Sequence, residues 1–307
     1  MQLELFGQEP FSLRLRIEDA VNIFRSNYWD KLPYGKNSKN ITNKIVTFFR
    51  GHHLDSISKA DIERMRQHYR SMGYSESTVN KIHMTLSRIY TKFQEYKDGK
   101  FVDGSDFSRI ILPDKNPASL VPRTREKPKP EIELTLDRKK ILCSFADEDM
   151  YEIIDTLWWS MLRPGDLFRI SDKNINLDQL TICGVQNKSI TTKNPNGLEY
   201  RVVIPLDRID MIKRRIDSTK PGTPIFRRTN IQKRWEKLRR LASKIDPVLL
   251  RAKMKEIRDG ATSHLLDNNC DAETVRRKGG WASYQMIPHY DKRADRSLKD
   301  ASELLAK

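Results

Sequence analysis

The stretch Lys255-Glu256-Ile257-Arg258-Asp259-Gly260-Ala261-Thr262-Ser263-His264-Leu265-Leu266 is followed by Gly280-Trp281 and, nine positions after the tryptophan, by Tyr290. A lone tyrosine downstream of a cationic pair and an indole has the parts of a nucleophile aimed at a phosphodiester. Attack on phosphorus requires a held target and neutralised negative charge, and Arg and Lys side chains suit that work. Tyr290 by itself is an ordinary core or surface aromatic. Only the residues around it give it a chemical reading.

The composition is consistent with that chemistry. At 307 residues and 36.0 kDa the chain has the length for two domains, each with its own core. Lys and Arg number 57 against 41 Asp and Glu, a net charge of +16 with a pI near 9.7, as expected of a nucleic-acid binder. A membrane surface would also attract such a chain, but no apolar run approaches the roughly 20 residues that span a bilayer. The start, Met1-Gln2-Leu3-Glu4-Leu5, lacks the regions of a signal peptide, so an intracellular protein is expected. Cys143, Cys183 and Cys270 are odd in number and widely spaced, which suits reduced, buried thiols better than disulfides or zinc.

Apolar residues recur at helical spacing from Leu13 to Tyr96, in Ile17-Ala20-Val21-Ile23-Phe24, Ile41-Ile45-Phe48-Phe49 and Ile62-Met65-Tyr69. A further helix starts near Ser75, with the stripe Val79-Ile82-Leu86-Ile89-Tyr90-Phe93 opposite a basic side of Lys81, Arg88 and Lys92. About four helices make a bundle here. The period then fails between Lys97 and Pro130, where Asn116-Pro117 and the Pro- and Arg-rich run from Pro122 read as an extended basic linker. The divisions are therefore a tail over 1–11, a helical domain over 12–98, a linker over 99–130 and a second domain over 131–307.

In the second domain Thr135 caps a helix, and Tyr151 to Leu162 forms an apolar one whose Trp158 and Trp159 read as core. Short strands are expected at 180–182, 189–192 and 200–204, with Asn194-Pro195-Asn196-Gly197 as the last turn. Helices follow over 231–245, 246–267, 271–278 and 296–305, the third stopped by Gly279-Gly280.

Four pieces in this order resemble the tyrosine recombinases, or phage-type integrases: Met161-Leu162-Arg163-Pro164-Gly165-Asp166-Leu167, the lysine of Thr191-Thr192-Lys193-Asn194, the run from Lys255 to Leu266, and Gly280-Trp281 with Tyr290. The resemblance covers roughly residues 12 to 307 and no piece is specific alone. It implies a mainly α fold with a small antiparallel β-sheet, in which an N-terminal helical core-binding (SAM-like) bundle precedes a C-terminal catalytic domain. The two would close as a clamp around a duplex, with the linker crossing the DNA.

It also implies roles. Tyr290 attacks the scissile phosphate and forms a 3′-phosphotyrosyl link; Arg163 and Arg258 grip the non-bridging oxygens with planar guanidinium forks. Lys193 protonates the departing 5′ hydroxyl. Trp281 donates its indole N–H to phosphate and packs on the tyrosine segment, and Asp166 braces the framework. Lys255 stands where most members have His and can donate to phosphate. Asp259 and Gly279 also depart from the common pattern.

The resemblance further implies a site-specific recombinase needing neither metal nor cofactor, acting on double-stranded DNA with a specific core site. It implies a homo-tetramer of two dimers, with residues 296–305 reaching a neighbour, and a nucleoid-associated setting of bacterial or viral origin. About ten residues precede the first helix, too few for an accessory arm-site domain. A DNA binder that has lost turnover and a tyrosine-type topoisomerase are the competing functions.

Other residues admit more than one reading. Tyr284 is a rival nucleophile, Arg163 and Asp166 could form an ordinary helix ion pair, and Lys188 competes with Lys193. Arg276-Arg277-Lys278 could meet a DNA backbone or solvent. Gln2-Leu3-Glu4-Leu5-Phe6 resembles the peptide with which bacterial proteins dock on the replication sliding clamp; the same apolar side chains could instead pack on the first bundle.

Overall fold

The structure is a computed structural model that describes residues 13–31, 39–99, 107–126, 132–190, 194 and 196–291, without the Lys188 side chain. The chain divides into two compact units, Met1–Lys129 and Pro130–Lys307.

Among its described residues the first unit has four α-helices, α1 (Ile17–Phe24), α2 (Lys39–Phe48), α3 (Lys59–Ser71) and α4 (Glu76–Lys97). Their starts follow capping chemistry: Ser58 and Asp61 form a reciprocal capping box on α3, and Ser75 accepts from Thr78 N–H on α4. The apolar stripes read from the sequence meet in one core, where Ile17, Phe24, Ile45, Ile62, Met65, Ile82, Leu86, Ile89 and Phe93 are fully buried.

Residues 107–126, expected as open linker, instead pack on this unit. Phe107, Ile110, Ala118 and Val121 belong to its core, and polar side chains fix the backbone between them. Asn116 donates to Ser87 O at 3.0 Å, His83 Nε2 meets Ala118 O at 2.7 Å, and Asn80 donates to Thr124 O at 2.9 Å. Buried Arg66 donates to Pro122 O and Thr124 Oγ1. The prolines break periodicity here without preventing burial, because side chains satisfy the carbonyls that a helix would have used.

The second unit contains α5 (Leu136–Ser144), α6 (Glu148–Ser160), the single turn α7 (Pro164–Leu167), α8 (Ile209–Asp217), α9 (Ile231–Ala242), α10 (Glu256–Asp267), α11 (Ala272–Lys278) and α12 (Ile287–Tyr290). A three-stranded antiparallel sheet, β1 (Ile175–Asn176), β2 (Thr181–Gln186) and β3 (Leu198–Val203), lies in sequence order. β2 pairs with β3 from Thr181 opposite Val203 to Gln186 opposite Leu198. Trp158 and Trp159 are partly buried against the core.

Two expectations change. The strand expected over 189–192 is absent at Ser189, which lies in a 3-10 turn (Asn187–Ser189). The ladder stops because Asp166 Oδ1 accepts the Asn187 N–H and Ser189 Oγ accepts the Leu198 N–H. The single helix expected over 246–267 is a 3-10 turn (Pro247–Arg251), a break, and then α10. Asp246 caps the turn through Val248 N–H, and Glu256 Oε2 accepts Lys253 N–H to shape the break.

α10 is buried around its whole first two turns, from Glu256 to Ser263, and it contacts α5, α6, α11 and α12. Gly260 makes this possible. A Cβ there would lie 1.9 Å from Leu134 O and 3.2 Å from the Trp158 ring, so only hydrogen fits between helix and chain.

Candidate active site

Arg163 is placed by a break in the chain rather than by a helix interior. Met161 ends α6 in the left-handed conformation (φ 54°), and Arg163 is the N-cap of α7, with Pro164 at the first helical position. Its guanidinium reaches Gln186 Oε1 through Nη1 and lies 3.9 Å from Asp166 Oδ2. Asp166 is buried and also receives Arg169 Nη2 at 2.8 Å and Asn187 N–H at 3.1 Å. Asp166 is thus a hub that ties α7 to the end of β2 and lies beside the Arg163 guanidinium.

Lys255 and Arg258 come from the start of α10. Lys255 is the exposed N-cap, and Arg258 lies within the buried first turn with 4 % of its surface exposed. Arg258 Nη2 donates to Gly279 O at 2.6 Å. Its Cζ is 5.1 Å from the Trp281 ring centroid and 4.9 Å from that of Tyr290. The two rings stack on each other at 4.6 Å with 21° between planes. The guanidinium therefore contacts both aromatic rings. Burial, and then the nearby Arg163 charge, pull its pKa down to about 10, which leaves it cationic at neutral pH.

Arg163, Lys255, Arg258 and Tyr290 line one cleft of about 630 Å³, together with Asp166, Asn187, Asp259 and His289. The N-terminus of α10 opens on it and adds partial positive charge to that of the side chains. Arg258 Nε is a buried donor without a hydrogen-bond acceptor among the described residues, as is Trp281 Nε1. Such orphans are rare in folded proteins.

Trp281 does not line the cleft. It is 3 % exposed, and its indole N–H is buried, so in this conformation it packs behind Tyr290 rather than presenting a donor to the cleft. Tyr284 is also elsewhere: its hydroxyl donates to Glu273 Oε2 at 2.7 Å on an exposed cluster with Arg276 and Arg277. Arg276 further donates to Trp281 O at 2.7 Å, so it fixes the turn ahead of the tyrosine. Lys193, the stretch 296–305 and the peptide Gln2–Phe6 lie outside the described residues. Gln186, Asn187 and His289 were not singled out from the sequence. Only the proximity of His289 to Tyr290 in the chain could have signalled any of them.

Among the described residues no helix is long and apolar enough to cross a membrane, and no group of three or more His, Cys, Asp or Glu is placed to hold a metal ion.

Neither a family model nor a curated protein sequence matches the chain. Solved structures do. The chain is similar to the Tn1549 transposon integrase in complex with a circular intermediate DNA, with TM-score 0.67, 15% identity, and 94% of this chain and 100% of that one covered. It is also similar to lambda integrase, both as a dimer bound to a COC′ core site (TM-score 0.66, 14% identity, 95% and 84% covered) and as a tetramer bound to a Holliday junction (0.64, 14%, 92% and 78%). The chain has the fold of the tyrosine recombinases, mainly helical with a small antiparallel sheet, as its motifs led one to expect.

Proposed function

We propose that this protein is a site-specific DNA recombinase that cleaves and rejoins strands through a 3′-phosphotyrosyl intermediate on Tyr290. The observation that carries the reading is the shared cleft: one phenol, two guanidinium groups and one ammonium group converge from α7, α10 and α12. Tyr290 loses its phenolic proton to solvent and forms the new P–O bond as the bond from phosphorus to the 5′ oxygen breaks, and Lys193 gives that oxygen a proton. Arg163 and Arg258 stabilise the charge that gathers on the non-bridging oxygens, and Lys255 adds a third cation at the rim. Trp281 supports the nucleophile through its ring.

The phosphotyrosine conserves the broken bond, so a 5′ hydroxyl of another strand can reverse the attack without metal or nucleotide. The partner is double-stranded DNA with a core site, bound by four copies of the chain, and the +16 net charge supplies the attraction to phosphate. The linker over 99–130 would cross the duplex, and 296–305 would reach the next copy. Gln2–Phe6 would add a sliding-clamp contact; equal retention of the wild type and Leu5→Ala/Phe6→Ala on immobilised clamp removes that part alone.

The test of the main reading uses nicked duplexes cut from the DNA neighbouring the coding sequence. Cleavage near a nick releases a short fragment, so the covalent adduct accumulates. The wild type should be trapped and Tyr290→Phe should not. A wild type that binds without trapping points to a scaffold retained for binding only, and trapping on arbitrary supercoiled DNA points to a topoisomerase.

A further inference from the structure

We infer that Gln186 is a positioning residue for Arg163, hanging the first guanidinium from the same Gly279-Gly280 turn that holds the second. The inference rests on the recombinase reading of the cleft and assigns a buried residue that does not itself line it.

Gln186 ends β2 and is 4 % exposed. Its Oε1 accepts from Arg163 Nη1, and its Nε2 donates to Gly280 O at 2.5 Å. A guanidinium has only donors and a peptide carbonyl only accepts, so one neutral amide can serve both and its orientation is fixed. A carboxylate would face the carbonyl with no proton to give, and a shorter amide would not span.

On the other side of the turn, Arg258 Nη2 donates to Gly279 O. The two arginines of the cleft therefore reach consecutive carbonyls, one directly and one through Gln186. Gly280 completes the arrangement: its φ is +60°, and a Cβ there would lie 2.6 Å from Gln186 Nε2. Asp166 steadies Arg163 from its own turn, but at 3.9 Å. Gln186 is the link from Arg163 to the backbone that leads into Trp281 and Tyr290.

The experiment compares Gln186→Leu, which keeps bulk and removes both bonds, with Gln186→Asn, which keeps the amide but is one methylene short. Full-length proteins are assayed on the same nicked duplexes by single-turnover trapping, with DNA affinity and melting temperature measured alongside. Each variant should form adduct about tenfold to a hundredfold more slowly, with its dissociation constant for DNA within about threefold of the wild type. Arg163→Lys combined with Gln186→Leu should be no slower than Arg163→Lys alone, because the two side chains act as a unit.

Wild-type trapping rates in either folded variant overturn the inference. So does a loss confined to DNA affinity, or a double variant whose defects multiply. Should Gln186→Leu not fold, Gln186→Asn decides. A wild type that traps nothing removes the recombinase reading and this inference together, whereas a trapping wild type with unaffected variants removes this inference only.

Discussion

Replacing Gly260 by alanine tests whether close approach at α10 positions the cleft. The added Cβ would sit 1.9 Å from Leu134 O, where ordinary contact begins near 3.4 Å, so helix and chain must separate by about 1.5 Å. The obstacle is backbone on one side and the Trp158 ring on the other, so no flexible side chain can give way. Overpacking of this kind costs about 1–3 kcal/mol, and the better helix propensity of Ala returns about 1 kcal/mol.

Because backbone rather than a side chain must move, the upper end of that cost applies, and a net loss of about 2 kcal/mol should lower the melting temperature of the second unit by roughly 4–8 °C in calorimetry of the whole chain. The same displacement carries Arg258, two residues away on α10, relative to Arg163 on α7. A misplacement of about 1 Å costs on the order of a hundredfold in rate, so adduct formation should fall by a similar factor. A Gly260→Ala protein that melts at or above the wild type would refute the packing argument. Normal melting and normal trapping together would also remove the link from packing to positioning.

Trp281→Ala should destabilise the second unit by about 3–5 kcal/mol and slow trapping, whereas Trp281→Phe should retain most adduct formation because the ring stack survives; equal defects would show that the indole N–H matters instead. Tyr284→Phe should leave adduct formation unchanged, and its loss on denaturing gels would mark Tyr284 as the nucleophile. Lys193→Ala should be rescued by a substrate whose leaving 5′ oxygen is replaced by sulfur, which departs without a proton; rescue of Lys188→Ala alone would move the general acid to Lys188. Burial holds the His83 pKa below its ordinary 6.5, so the unfolded chain binds the proton first as pH falls. Stability of the first unit should therefore decline from about pH 6.5 downward, and chemical denaturation of wild type and His83→Gln at pH 7.5 and 5.5 should show a smaller decline in the variant.

Periodicity was enough to read the helices of the first unit, because each buries one stripe, and α3 and α4 also start at Ser caps. Residues 107–126 carry no such period. There the backbone is held by Asn80, His83, Arg66 and Asn116, residues distant in sequence whose role leaves no local pattern. The four cleft residues now brought together were legible because their chemistry is specific to residue type: a phenol, forks and an ammonium group. Gln186 was not, since a glutamine ending a strand has nothing unusual until its two partners are in place. The indole was legible as a neighbour of Tyr290 but not in its orientation, which burial decides.

The pair of glycine carbonyls at 279 and 280 acts as a ruler. Adjacent α-carbons across a trans peptide are about 3.8 Å apart whatever surrounds them, and the backbone torsions of the turn, with Gly280 at φ +60°, then set where the two carbonyl oxygens point. Substitutions in either flanking core therefore leave the two anchors in place for as long as the turn keeps those torsions, and a side chain at Gly280 is the change that would move them.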